Sequence, residues 1–206
     1  MSLATAIINP YWDTIRDHAT NGQVDPYPWP AENNSPRRTA LTDRYAWTIT
    51  DPATVAFVAE HLNGLAIDPL AGTGYWAYLL GQAGVEVVAS DHQPPNETTN
   101  HYHHAGVTHT RVKQDDAIKA VARRCAGWSL FLAWPPYDEP TGTNIIRAYE
   151  GDRIVYVGEG YGGCCGDDAM FELLGSEWVQ VAEHRPVQFA GIHDFVTVYD
   201  RRAGGL

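Results

Sequence analysis

The chain holds 206 residues, 44% of them hydrophobic, 11% aromatic and 19% charged. That is enough apolar material for one sizeable core, and it excludes both a disordered chain and, at roughly 100–200 residues per domain, two full domains. Fourteen Lys and Arg stand against 25 Asp and Glu, a formal charge of -11, so the mean field repels a phosphate backbone and makes nucleic acid a disfavoured partner.

Residues 1–50 differ from the rest. Pro10, Pro26, Pro28, Pro30 and Pro36 punctuate a segment that carries Tyr11, Trp12, Tyr27, Trp29, Tyr45 and Trp47. The pattern predicts a short helix near residues 10–19, then an irregular aromatic arm whose rings need a surface to lie on. Such an arm is expected to cap a site on the domain formed by residues 51–206. The pair Arg37-Arg38 is too small to signal nucleic acid and is expected to meet an anionic substrate or the arm itself.

At Asp51 the pattern becomes regular. Asp51-Pro52-Ala53 reads as an N-cap with Pro at the first helical position, and Val55, Val58, Ala59 and Leu62 follow at helical spacing before Gly64. Leu65-Ala66-Ile67 is a strand closed by Asp68, Tyr75 to Ala83 a helix, and Val85 to Ala89 a second strand, together a right-handed βαβ unit. Residues 92–107, with Pro94, Pro95 and a His-rich stretch, fit no element. Thr108–Val112 is expected as a third strand, Ala117–Cys125 as a helix and Trp128–Ala133 as a buried fourth strand. Thr141–Tyr149 is expected as a helix, Arg153–Val157 as a fifth strand and 167–175 as an Asp-led helix. Segments 177–184 and 194–200 have no helix between them and are expected to pair antiparallel. The predicted fold is α/β: a Rossmann-like open sheet, mostly parallel, with a reversed final strand.

Three Cys do not make a disulfide framework, and adjacent Cys164 and Cys165 are poorly placed to bridge each other, so reduced, structural thiols in a reducing cytoplasm are expected. No basic region followed by an apolar run opens the chain, and no stretch approaches the roughly 20 apolar residues of a membrane span.

In open α/β sheets ligands bind beyond the carboxyl ends of the strands, so the residues just after each strand matter most. After the first strand comes Asp68-Pro69-Leu70-Ala71-Gly72-Thr73-Gly74, a turn whose glycines let the backbone approach a ligand. After the second comes Asp91, beside His92, where an acid can bond both hydroxyls of a ribose. Asp115-Asp116 follows the third strand and Trp134-Pro135-Pro136-Tyr137 the fourth.

This ensemble, from about Asp51 to Asp200, resembles the class I S-adenosylmethionine-dependent methyltransferases, and Gly72-Thr73-Gly74-Tyr75-Trp76-Ala77 resembles a set of uncharacterised members of that family. The resemblance implies S-adenosyl-L-methionine as cofactor. Asp68, Ala71, Gly72 and Gly74 would lie at its methionine part, Asp91 at the ribose and Asp115 or Asp116 at the adenine amino group, with Trp76, His92 and Trp134 also among the residues that bind it.

Amino-group methyltransferases of the family carry Asn or Asp before Pro-Pro-Tyr, whereas Trp134 stands here, and an indole cannot accept a hydrogen bond. Its backbone carbonyl can, the prolines stiffen the loop, and Tyr137 can stack on a planar substrate. Trp134 and Tyr137 are therefore expected to face the acceptor. Glu159, in the Gly-rich loop after the fifth strand, is the first candidate for a base, followed by Asp138 and Glu139.

Charge favours a small-molecule or peptide methyl acceptor. The alternatives are a nucleic-acid or protein amino-group methyltransferase with a variant Trp-Pro-Pro-Tyr motif, a nicotinamide-dependent oxidoreductase, and a non-catalytic cofactor-binding partner subunit. His101-Tyr102-His103-His104, near His92 and His109, invites a metal reading, but the spacing fits no standard zinc motif and no metal is expected.

Overall fold

A computed structural model describes residues 7–25, 37–124 and 127–203. Pro26, Tyr27, Pro28, Trp29, Pro30, Pro36 and Cys125 lie outside the described residues. The first helix, α1 (Pro10–Ile15), starts where Asn9 accepts the Trp12 N–H with its side chain and Pro10 presets the first helical φ. A 3-10 turn (Arg16–His18), β1 (Gln23–Val24) and α2 (Arg38–Arg44) complete the described part of the predicted arm.

The alternation read from the sequence then runs through α3 (Pro52–His61), β2 (Leu65–Asp68), α4 (Tyr75–Gln82), β3 (Glu86–Asp91), β4 (Lys113–Gln114), α5 (Ala117–Ala122), β5 (Ser129–Ala133) and α6 (Thr141–Ala148). It ends with β6 (Arg153–Glu159), α7 (Asp168–Glu177), β7 (Trp178–His184), β8 (Gln188–Phe189) and β9 (Asp194–Arg201). Side chains set three of the helix starts: Asp51 accepts the N–H groups of Ala53 and Thr54, Asp116 that of Lys119, and Asp167 that of Met170. Such caps contribute typically about 1 kcal/mol each.

Seven strands form one sheet in the order β4-β3-β2-β5-β6-β9-β7. The pairs β3–β4, β2–β3, β2–β5 and β5–β6 are parallel, and β9 runs antiparallel to both β6 and β7. This is the mostly parallel open sheet with a reversed final strand that the sequence predicts. Leu130, Phe131 and Leu132 of β5 and Ile154 to Val157 of β6 are buried, as central strands covered on both faces require.

Three features differ from expectation. Thr108–Val112 is not a strand, and only Lys113 and Gln114 pair with Ser90 and Asp91. The preceding residues are drawn onto the glycine turn instead. His109 donates its N–H to Thr73 O at 2.8 Å, and a Cβ on Gly74 would lie 2.7 Å from Val112 Cγ2. Second, β8 interrupts the final hairpin and pairs parallel with β1, Gln23 beside Gln188 and Val24 beside Phe189. Third, much of the arm is core rather than cover: Tyr11, Ile15, Val24, Leu41, Ala46 and Ile49 pack in one cluster with Val55, Leu79, Phe131 and Val198. Tyr11 and Ile15 are fully buried, each worth roughly 1.5–3 kcal/mol on the usual transfer scale for such side chains.

Candidate functional site

Strand order runs outward from β2 to β3 and β4 on one side and to β5 and β6 on the other, so the crevice opens beyond the carboxyl ends of β2 and β5. A cavity of ≈ 720 Å³ lies there, within the range of about 300–1,000 Å³ usual for small-molecule sites. Its walls are the β2–α4 turn, the residues after β3, the start of α5, the exit of β5, the arm at Tyr45 to Trp47, and the segment from Asn100 to His103. Asp91, Asp116 and Glu139 bring carboxylates to it, and among the described residues no Lys or Arg lines it.

The glycine turn and the β3 acid form one unit. Gly72, at φ +50°, donates its N–H to Asp91 Oδ2 at 2.9 Å, while Asp91 Oδ1 accepts the Gln93 N–H at 2.9 Å. A carboxylate has about four acceptor positions, so Asp91 keeps capacity for a ligand. Asp68 lies beneath the turn rather than in the cavity wall. It is 2% exposed and its Oδ1 has no hydrogen-bond partner among the described residues. Burial, and then the Asp91 charge, push its carboxyl up to about 8. Ala71, Gly72, Trp76, Asp91 and His92 line the cavity; Gly74 does not, since it is covered by Thr110 and Val112.

Across the cavity, Trp134 leaves β5 with φ +47°, a left-handed conformation that is uncommon and strained for a bulky residue. Several contacts hold it there. Its main-chain N–H donates to Val157 O at 2.8 Å and its indole N–H to Thr48 Oγ1 at 2.9 Å, and the ring stacks on Trp47 at 5.1 Å. Thr48 passes the chain on, donating to Asp194 Oδ2 at 2.7 Å. Asp194 is 1% exposed, and burial pushes it up to about 7 against the hydrogen bonds from Thr48 and Trp134. The Arg38 guanidinium stacks against Trp47 at 5.2 Å and Trp134 at 5.8 Å, so of the two arm arginines this one serves the arm. Pro135 and Pro136 follow in the wall, and Tyr137 is 64% exposed at its rim.

Of the acid pair after β4, Asp116 lines the cavity and caps α5, while Asp115 turns away. Asp115 bonds Lys113 at 2.9 Å and pairs with Arg123, and the Lys113 hydrogen bond foremost holds its carboxyl below the usual range. Glu159, the first candidate for the base, does not line the cavity. Its Oε2 accepts the Cys164 N–H and its Oε1 the His193 N–H, both at 2.8 Å, so the carboxylate closes the loop after β6. Asp138 is also outside the wall, whereas Glu139 is in it. Cys164 and Cys165 are free thiols; Cys165 is buried, which pushes it up to about 12.

The histidines of this stretch, which the sequence offers as a surface loop or a substrate-facing segment, fasten the arm to the turn. His103 Nδ1 lies 2.9 Å from Thr42 O, His104 Nδ1 3.2 Å from Asp43 Oδ1, and His109 Nε2 2.7 Å from Arg44 O. Thr73 Oγ1 donates to Tyr45 O next to them. Imidazoles thus cap the last carbonyls of α2, and burial lowers the affinity of His103 and His109 for a second proton. Asn100 sets this segment by accepting the N–H groups of Tyr102 and His103 at 2.8 and 2.9 Å. Tyr75, Asn100, Tyr102, His103 and Asn144 are wall residues that sequence reasoning did not assign. Asn100, placed to make an Asx turn ahead of the histidines, was the one available signal.

No protein-family model matches the chain, and no curated protein matches it. Among solved structures it is similar to an rRNA methylase from Streptococcus thermophilus, with 18% identity, TM-score 0.47, and 73% of this chain and 95% of that one covered. It is also similar to magnesium protoporphyrin IX methyltransferase from Synechocystis PCC 6803 with bound SAM, with 12% identity, TM-score 0.45, and 73% and 76% covered. A putative methyltransferase, yhhF, from Escherichia coli matches with 16% identity, TM-score 0.40, and 72% and 80% covered.

Proposed function

We propose that the chain is an S-adenosyl-L-methionine-dependent methyltransferase acting on a small molecule or a peptide. The observation that carries this reading is the bond from the Gly72 N–H to Asp91, which joins the glycine turn and the β3 acid in one wall of an acid-lined cavity. The residues fit such a cofactor. The turn offers backbone where a side chain would intrude, the orphaned Asp68 carboxyl lies below it, and three carboxylates without a lining Lys or Arg suit a sulfonium cation.

When bound, the cofactor supplies a methyl group made electrophilic by the sulfonium. Ala71, Gly72 and Trp76 would hold its methionine part, Asp91 with His92 its ribose, and Asp116 its adenine. Trp134, Pro135, Pro136 and Tyr137 form the wall for the acceptor, stiffened by the prolines and by the bonds that fix Trp134. Orientation is the main task left to the protein, and well-aligned reactants gain roughly 7–11 kcal/mol in model systems. Glu139 is the carboxylate of the acceptor wall that can take a proton where the nucleophile carries one. The residues from Arg38 to Trp47, clasped by histidines, cover the site and exclude water.

The absence of a lining cation among the described residues, with the formal charge of -11, supports an acceptor without phosphate groups. Calorimetry with S-adenosylmethionine and S-adenosylhomocysteine tests the proposal. Binding of both, lost in Asp91→Ala, is the expected result; no binding by the native chain overturns it.

A further inference from the structure

His103 is buried and lies in the cavity wall, and only its Nδ1 has been given a task. Its Nδ1 faces the carbonyl oxygen of Thr42, which carries no hydrogen, so Nδ1 must hold the proton of the neutral ring. Nε2 is then a bare lone pair. It lies over the glycine turn: a Cβ on Gly72 would sit 2.5 Å from it. No group among the described residues bonds Nε2, and the carboxylates nearest the ring in effect are Asp91 and Asp43. An accepting nitrogen in a negative environment calls for a ligand group that only donates and carries positive charge.

We propose that His103 Nε2 accepts a hydrogen bond from the α-ammonium group of the bound cofactor, and so recognises its amino-acid end. The inference rests on the cofactor reading above. Asp91 and Asp116 lie on the β3 and β4 side of the cavity, where ribose and adenine belong, and this leaves the turn on the β2 side for the amino acid. The ammonium is the cofactor's group that both donates hydrogen bonds and carries positive charge. The His-rich segment thereby joins two tasks, holding the arm through Nδ1 and reading the ligand through Nε2.

The experiment compares two probes by calorimetry: S-adenosylhomocysteine, and 5′-methylthioadenosine, which keeps adenine, ribose and sulfur but lacks the amino-acid end. His103→Phe keeps a planar ring without the acceptor. The expected result is a loss of roughly tenfold or more for S-adenosylhomocysteine with methylthioadenosine affinity held within about twofold, the size of a lost bond to a charged group. Equal losses for both probes, or no loss for either, overturn the proposal. Nitrogen NMR of the native chain supplies a readout independent of the variant's folding. S-adenosylhomocysteine must shift the His103 Nε2 resonance where methylthioadenosine leaves it in place, and equal shifts from the two overturn the assignment. If the native chain binds neither probe, the cofactor reading fails and this one with it.

Discussion

Gly72 and His103 compete for the same space, since a Cβ on Gly72 would stand 2.5 Å from His103 Nε2 and 2.7 Å from Cδ2. The left-handed φ of +50° adds a second reason for glycine at this position. Gly72→Ala is therefore expected to lose stability twice, about 1–2 kcal/mol for the backbone and more for the displaced ring. In a denaturation double-mutant cycle, His103→Ala should restore the second share and leave the first. Plain additivity of the two substitutions would refute the steric account.

Asp91→Asn keeps one oxygen but turns an NH2 toward one of the two N–H groups, Gly72 or Gln93, that the carboxylate now satisfies. A cost of about 1–3 kcal/mol in urea denaturation is expected for the donor left without an acceptor. S-adenosylhomocysteine affinity should fall by roughly tenfold or more, because the turn and the ribose acid are lost together.

Thr48→Val, close to isosteric, removes the hydroxyl between the Trp134 indole and Asp194 and takes a hydrogen-bond partner from each. The expected loss is about 1–3 kcal/mol, and in a Trp134→Phe background it should shrink, because the indole donor is already gone. An undiminished loss in that background would show that the indole bond to Thr48 adds nothing to the hold on Trp134.

Stability should fall as pH rises through neutrality. Asp194 and Asp68 are raised by burial to about 7 and about 8, so they favour the native state while protonated, and that contribution is lost as pH rises through those values. His103 and His109 are lowered by burial, so their contribution is present above the ordinary imidazole value of about 6.5 and is lost as pH falls from there to their lowered folded values. Thermal melts should therefore show the melting temperature falling as pH rises from about 6.5 to about 9, where the histidine contribution is complete and the two carboxyls lose theirs. Asp68→Asn should melt higher than the native chain at about pH 9 and lose the alkaline limb that belongs to that residue.

Glu159→Ala removes the acceptor for the Cys164 and His193 N–H groups. Hydrogen exchange in residues 160–166 should accelerate while S-adenosylhomocysteine affinity stays within about twofold, since the carboxylate is outside the cavity wall. A selective loss of binding would return Glu159 to the site.

What was legible in the sequence was local chemistry. Asp51, Asp116 and Asp167 announce helices because a carboxylate at an N-cap bonds residues two or three positions away. Asp91 and the Trp-Pro-Pro-Tyr exit were found by their position after apolar runs. Long-range contacts were not legible. Glu159 stands after a strand just as Asp91 does, and only the fold shows that its partners are Cys164 and His193. Thr108–Val112 has strand composition, yet the bond from His109 to Thr73 and the packing on Gly74 pull it from the sheet. His103 takes its meaning from Thr42 on a helix distant in sequence, and no spacing rule connects them.

The pairing of β1 with β8 bears on how the protein is made. Gln23 and Val24 leave the ribosome well before their partners Gln188 and Phe189. Thr48, which anchors Trp134, likewise waits for Asp194. The roof of the cavity is therefore built from residues before 50 but fastened by residues beyond 187. A nascent chain that has not yet extended past Asp194 would carry the glycine turn and Asp91 without a settled aromatic wall, so ligand competence waits for that residue.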